Sequence, residues 1–195
     1  MRCFLLDNRD SFTFNLAQAF HALGGEVMVQ RAESRMPAAM ACLIHEWSPT
    51  HLVLSPGPLR PEDHPMNAAL LDRFAGRIPI LGVCLGMQAI NLWCGGTLRR
   101  DTPPMHGKTS LVRYTEGAPL MEGLPNPFTA ARYHSLVLDR LGRDLAATAW
   151  TGEVIMAVRH ARHPIFGVQF HPESYMTPEG TWLLRNFLTL SLRGT

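Results

Sequence analysis

A cysteine stands between two glycines in "GVCLG", residues 82–86, the thiol counterpart of the G-x-S-x-G turn that seats a nucleophile between a strand and a helix. Bulkier neighbours would collide with so sharp a bend, so Gly82 and Gly86 supply the room. Such a setting would expose the Cys84 thiol at the carboxyl end of a sheet, aim a helix N-terminus at it, and offer the Leu85 amide to an oxyanion. A helix N-terminus also lowers a thiol pKa, which raises the thiolate fraction at neutral pH. Taken alone, the motif leaves the other fate of cysteine open, that of a buried structural residue.

A thiol in acyl transfer needs a base and something to hold that base. Of the nine histidines, His171 stands apart because it follows "PIFGVQF" at the carboxyl end of a strand, where ligand sites gather in α/β sheets. In "HPES", Pro172 is expected to stiffen an extended backbone, which would point His171 and Glu173 to one side at i and i+2. A carboxylate there could hold one imidazole nitrogen and leave the other to face the thiol, as in a catalytic triad. A His-x-Glu pair by itself is often a surface coincidence. What carries weight is that this pair and the elbow cysteine belong to one edge of one predicted sheet, which favours a hydrolase-like cysteine enzyme. "SPGP", residues 55–58, ends another strand at that edge. Gly57, held between prolines, offers a rigid exposed amide that we read as a second oxyanion donor, with a simple turn as the alternative.

The elements that must position these residues follow from periodicity. Cys3 to Leu6 reads as a strand broken by "DNRDS", and Phe12 to Leu23 recurs at helical spacing, with Asp10 or Ser11 as N-cap and Gly24-Gly25 as the stop. "EVMVQR" and "HLVLSPGP" read as strands, Pro37–Trp47 as a helix opened by proline, and Pro65–Phe74 as a weak helix. "IPILGV" is a buried strand, and Gly86–Cys94 a helix ended by Gly95-Gly96. After Thr97 come short β-rich runs, "TSLVRY", "FTAARY", "LAATAW", "VIMAVRH" and "PIFGVQF", and a last helix from Pro178 to Leu192. The expected fold is α/β, a mostly parallel sheet flanked by helices with added antiparallel strands, in one domain spanning residues 1–195.

Composition narrows the partners. With 46% hydrophobic and 17% charged residues and a net charge of +2, there is no electrostatic case for a nucleic-acid or membrane surface. "MRCFLLDNRD" has too short an apolar run for a signal peptide or a spanning segment, so a cytoplasmic protein is expected. Four cysteines without a CxxC or a His-rich cluster argue against disulfides and zinc, and leave Cys3, Cys42 and Cys94 as filler.

The segments "DNRDSFTFNL", "LSPGPLRP", "GVCLGMQAI", "MHGK", "RYHSLV" and "GVQFHPES", in this order and spacing, resemble the class I (triad) glutamine amidotransferases across nearly the whole chain. The opening "DNRDSFTFNL" and the ending "HPESYMTPEGTWLLRNF" look most like the glutaminase component (component II) of anthranilate or aminodeoxychorismate synthase. The resemblance implies a flavodoxin-like core in which Cys84 attacks the side-chain amide of L-glutamine, His171 serves as base and then acid, and Glu173 orients His171. It implies oxyanion donors at Gly57 and Leu85, and substrate contacts from Gln88, Ser135 and Leu136, the last two otherwise read as loop residues. It further implies a chorismate-using synthase subunit (component I) that receives the ammonia, no cofactor or metal in this chain, and magnesium only in the partner. "PPMHGK", with His106 and Lys108, is the candidate contact segment, a solvated loop being the alternative. Met87 departs from the pattern, since the family more often has histidine there; a thioether would replace a polar, titratable contact near the site by an apolar one. Rival readings are an amidotransferase component of another biosynthetic system, a catalytically weak regulatory homologue, and a free-standing thiol hydrolase of γ-glutamyl compounds.

Overall fold

Strand and helix alternate through the first half of the chain: β1 (Arg2–Asp7), α1 (Thr13–Ala22), β2 (Glu26–Arg31), α2 (Pro37–Trp47), β3 (His51–Leu54), α3 (Pro65–Phe74), β4 (Ile80–Val83) and α4 (Leu85–Trp93). The second half is β5 (Leu98–Arg100), β6 (Lys108–Tyr114), β7 (Phe128–Arg132), β8 (Leu136–Leu138), β9 (Leu145–Thr151), β10 (Val154–His160), β11 (Ile165–Val168) and α5 (Gly180–Thr189). The computed structural model describes residues 1–101, 105 and 107–191. Both α2 and α3 start on proline, whose missing N–H would have had no helical partner at that position. Among the described residues no helix is long and apolar enough to cross a membrane.

One nine-stranded sheet runs in the order β2-β1-β3-β4-β11-β10-β9-β6-β7, and β5 pairs with β8 in a small separate sheet. The strands from β2 to β11 are mutually parallel, and those from β11 to β7 antiparallel. The parallel part has the flavodoxin-like order, with its last strand supplied from the far end of the chain. Because β11 lies against β4, Val168 is paired with Val83, and the segments that follow the two strands emerge side by side. On the other side of β4, Leu54 pairs with Gly82, so the end of β3 joins the same edge.

Strand alternation sorts the core into two layers. Cys3, Leu5, Val53, Leu81 and Val83 pack with Leu16 and Phe20 of α1 and Leu183, Leu184 and Phe187 of α5. Phe4, Leu6, Leu52, Leu54 and Ile80 pack on the opposite face with residues of α2, α3 and α4. The expected α/β architecture is therefore observed, and its boundaries need local correction.

The N-cap position of α1 is Phe12, with no side-chain cap, and neither Asp10 nor Ser11 caps the helix. Asp10 acts a turn earlier, accepting the Phe12 amide at 2.8 Å, and Asp7 gathers the Arg9 and Asp10 amides and the Thr13 hydroxyl on one carboxylate oxygen. Helix α4 begins at Leu85, directly after the bend. Strand β11 stops at Val168, and the final helix begins at Gly180 and ends at Thr189; its expected limit, Leu192, lies outside the described residues. Leu136, expected in a loop, opens β8 instead, because its backbone pairs with Arg100.

Candidate active site

The bend after β4 is as tight as its glycines suggest. Cys84 has φ 52° and ψ −101°, a conformation that strains any residue with a side chain by about 1–3 kcal/mol. The surroundings enforce it: the Cys84 amide donates to the Val168 carbonyl at 2.7 Å, extending the β4–β11 pairing, and the Cys84 carbonyl accepts the Gln88 amide at 3.1 Å. A Cβ on Gly86 would lie 2.3 Å from the Leu54 carbonyl oxygen, and one on Gly82 would lie 2.4 Å from the Gly86 carbonyl carbon. The two glycines thus let α4 run back across the sheet in backbone contact.

His171 follows β11 by a short bend and is pinned from both sides. Its amide donates to the Ala131 carbonyl of β7 at 3.1 Å, and its carbonyl accepts the Thr177 hydroxyl at 2.8 Å. Its Nδ1 is 2.6 Å from Glu173 Oε1, and the side chains of both residues are out of solvent. The pairing expected from "HPES" is present, but the backbone is not extended: residues 172 and 173 lie in a turn closed by the Ser174 amide on the His171 carbonyl. The turn, and not a strand-like alternation, brings i and i+2 together.

With Nδ1 committed to Glu173, Nε2 is the ring nitrogen left to face Cys84, whose side chain acts on the imidazole. Burial pulls the His171 pKa down, but the hydrogen bonds to Cys84 and Glu173 and the negative charge on both outweigh it and hold the pKa well above its ordinary value. Phe12 and Tyr133 stand edge-on to the ring, with centroids at 5.4 and 5.0 Å, and exclude water from it. Glu173 Oε2 is buried and has no hydrogen-bond partner among the described residues. The other buried thiols have no such company: burial drives Cys3 far up and, with Asp144, Cys94 up to about 11.

A cavity of about 240 Å³ opens over Cys84, and Gly57, Leu85, Gln88, Ser135 and Leu136 line it together with Pro58, Leu59, Tyr133 and His134. Leu85 is the first residue of α4, so its amide has no acceptor within the helix. The Gly57 corner is fixed by Asn8, fully buried at the end of β1, whose amide donates to the Ser55 hydroxyl and whose Nδ2 donates to the Ser55 carbonyl. Gln88 spends its Nε2 on the Leu136 carbonyl at 3.0 Å and on Gln169 Oε1 at 3.3 Å, which leaves only its oxygen to face a ligand. The wall carrying Ser135 and Leu136 is clamped by buried Arg132, which reaches Asp101 at 2.9 Å and His134 at 3.0 Å.

All eight residues singled out from the sequence thus meet at one sheet edge, six around the cavity and His171 and Glu173 behind Cys84. Sequence reasoning passed over Asn8, Phe12, Tyr133 and Gln169; all four lie inside segments already quoted, "DNRDSFTFNL", "RYHSLV" and "GVQFHPES", and that was the available signal. Met87 is corrected. It is fully buried with Leu138 and Val158, and its side chain lies over Gly167 of β11, so it makes no contact in the cavity. The cause is geometric: three residues past Cys84, the helix has turned that side chain onto the sheet.

A thiol on a strained elbow, an imidazole held by a buried carboxylate, and amides around a small cleft are the parts that cysteine-dependent acyl transfer requires, set on a flavodoxin-like sheet. The chain belongs to the glutamine amidotransferase class-I family, whose model matches residues 4–190, and it is an enzyme of that kind. Among its relatives, anthranilate synthase component 2 of Pyropia yezoensis is 45% identical over 192 residues, covering 96% of this chain and 98% of that one. Aminodeoxychorismate/anthranilate synthase component 2 of Bacillus subtilis is 46% identical over 187 residues, 94% of each chain. A glutamine amidotransferase structure from Thermotoga maritima superposes with a TM-score of 0.75 over 96% of both chains at 14% identity, a likeness of fold.

Proposed function

We propose that this chain is the glutaminase subunit of a chorismate-using synthase, with Cys84 as nucleophile, His171 as proton carrier and Glu173 as the group that orients His171. The observation that carries the reading is the buried Cys84–His171–Glu173 chain beneath a cleft sized for one amino acid. An imidazole that favours its protonated form beside a thiol supports a resting thiolate–imidazolium pair.

The thiolate sulfur attacks the side-chain carbonyl carbon of L-glutamine, and the Gly57 and Leu85 amides receive the charge that moves onto oxygen. His171 gives its Nε2 proton to the amide nitrogen, the C–N bond breaks, and ammonia leaves a γ-glutamyl thioester. The neutral imidazole then takes a proton from water, hydroxide displaces the sulfur, and glutamate departs. Through both steps Glu173 keeps Nδ1 protonated and the ring in place. The Gln88 oxygen, Ser135 and Leu136 are assigned to the amino-acid end of the substrate, which needs partners for both its ammonium and its carboxylate. These steps use no group beyond the chain's own residues; we assign it no cofactor or metal and leave magnesium to the synthase.

Relatives named component 2 of anthranilate and aminodeoxychorismate synthases support a component 1 partner that consumes the ammonia. For the contact we keep the segment before β6, where Lys108 is exposed at the start of the strand; His106 lies outside the described residues. The decisive experiment reconstitutes Cys84→Ser with the component 1 subunit. Formation of the aminated chorismate product from glutamine should be lost, while formation from ammonium salts persists. Retained glutamine-dependent turnover would remove Cys84 from the mechanism, and identifying the product distinguishes anthranilate from aminodeoxychorismate.

A further inference from the structure

We infer that Gln169 is a further catalytic residue, whose carboxamide N–H donates to the Cys84 sulfur and stabilises the thiolate. The inference rests on Cys84 being the nucleophile. Gln169 lies just past β11, is fully buried, and has its backbone amide committed to the Met156 carbonyl at 2.9 Å. Its Nε2 is 3.5 Å from Cys84 Sγ, within the range for a sulfur acceptor.

The orientation of this amide follows from its neighbours and not from which atom is drawn as nitrogen. The Leu136 carbonyl can only accept, so Gln88 must present its NH₂ to it. That same NH₂ reaches Gln169, which must then answer with its oxygen. The Gln169 NH₂ is left facing the sulfur. A flipped carboxamide would set NH₂ against NH₂ at one end and an oxygen against a thiolate at the other.

A thiolate only accepts, and a donor that bonds the charged form favours it over the thiol. His171 supplies one donor, and Gln169 supplies a second that carries no proton to lose. The ionisable groups around the sulfur are His171, with Glu173 behind it, and His134 and Tyr133 on the cavity wall. Gln169 therefore holds the thiolate whatever the protonation of His171, including the stage after the imidazole has given up its proton. The Leu136–Gln88–Gln169–Cys84 chain also ties the substrate wall to the nucleophile, so a ligand that displaces Leu136 is felt at the sulfur.

The test is alkylation of the full chain by iodoacetamide across pH, read by mass spectrometry on the peptide that contains Cys84, since Cys42 is exposed and reacts separately. Gln169→Met keeps the bulk and removes the donor. The midpoint of Cys84 alkylation should rise by about one pH unit, with roughly tenfold slower labelling on the acid side, as expected for one hydrogen bond to a charged group. A profile superimposable on the wild type, in protein with native circular dichroism, overturns the inference. If Gln169→Met does not fold, Gln169→Glu keeps the shape and puts a carboxylate against the sulfur; a still larger upward shift is expected, and no shift overturns the inference equally. Cys84→Ser, assayed for glutaminase, separates the two levels: activity kept there defeats the nucleophile reading itself, whereas an unmoved Gln169 variant beside an inactive Cys84→Ser defeats only the role of Gln169.

Discussion

Replacing Glu173 by glutamine removes a charge from the site while keeping its shape. In the wild type the carboxylate bonds His171 Nδ1 at 2.6 Å out of solvent, and its other oxygen has no partner among the described residues. The carboxamide oxygen can still accept from Nδ1, so the loss is the difference between a charge-assisted and a neutral hydrogen bond, about 1–2 kcal/mol. By the usual conversion that lowers the His171 pKa by about one unit and makes the thiolate–imidazolium pair roughly tenfold scarcer. The NH₂ of the new side chain would occupy the place of the unpartnered Oε2 and go unsatisfied, at about 1–3 kcal/mol of stability. The pH dependence has a definite sign. A histidine whose folded pKa lies above its ordinary 6.5 stabilises the fold fully below about pH 6.5 and ceases to do so as pH rises through the folded value. Glu173→Gln should therefore cost most stability in mild acid, and less at alkaline pH. The assays are urea unfolding at pH 5.5 and 9, and the pH profile of glutaminase kcat/KM with the synthase partner present, where about a tenfold fall and an alkaline limb moved downward, following the lowered His171 pKa, are expected. A variant within twofold of wild type with an unmoved profile would refute the argument that Glu173 charges the imidazole.

His171→Ala removes the proton carrier and should lower thioester formation by ~10²- to 10⁴-fold, measured by single-turnover trapping; an unchanged rate would require another base. Gly86→Ala puts a methyl 2.3 Å from the Leu54 carbonyl oxygen, which cannot retreat without disturbing β3, so a loss of about 1–3 kcal/mol is expected in denaturant unfolding, together with impaired turnover. Met87→His buries an imidazole among Leu138 and Val158 without a polar partner; a lower Tm, corresponding to about 1–3 kcal/mol, with turnover per folded molecule little changed is the expected result. A large rise in partner-free glutaminase rate in that variant would show that position 87 reaches the chemistry after all.

Much of this was legible in the chain because it is local. The elbow announces itself in "GVCLG", since a strand-to-helix bend needs its two small residues beside the nucleophile, and helix α2 announces itself by its opening proline. The alternation of strands and helices was enough to expect a parallel sheet, and the carboxyl ends of its strands were enough to group Gly57, Cys84 and His171. Where local signals misled, the local backbone took another course: Asp10 accepts the Phe12 amide ahead of α1, whose N-cap position is Phe12, and a turn replaced the extended "HPES".

What only the tertiary structure decided concerns partners far apart in the chain. That β11 returns from the end of the chain to lie against β4 determines which atoms meet the sulfur, and with them the hydrogen bond from Gln169 and the Phe12 and Tyr133 rings around His171. Met87 shows the same limit, for its position beside the nucleophile in sequence says nothing about which way the helix turns it, and packing against Gly167 sent it into the core. By itself the sequence determined the residue types that thiol chemistry needs and the bend that displays them. The distances between them depend on backbone placement across the sheet, because periodicity reports which face a side chain takes and not which strand will lie beside it.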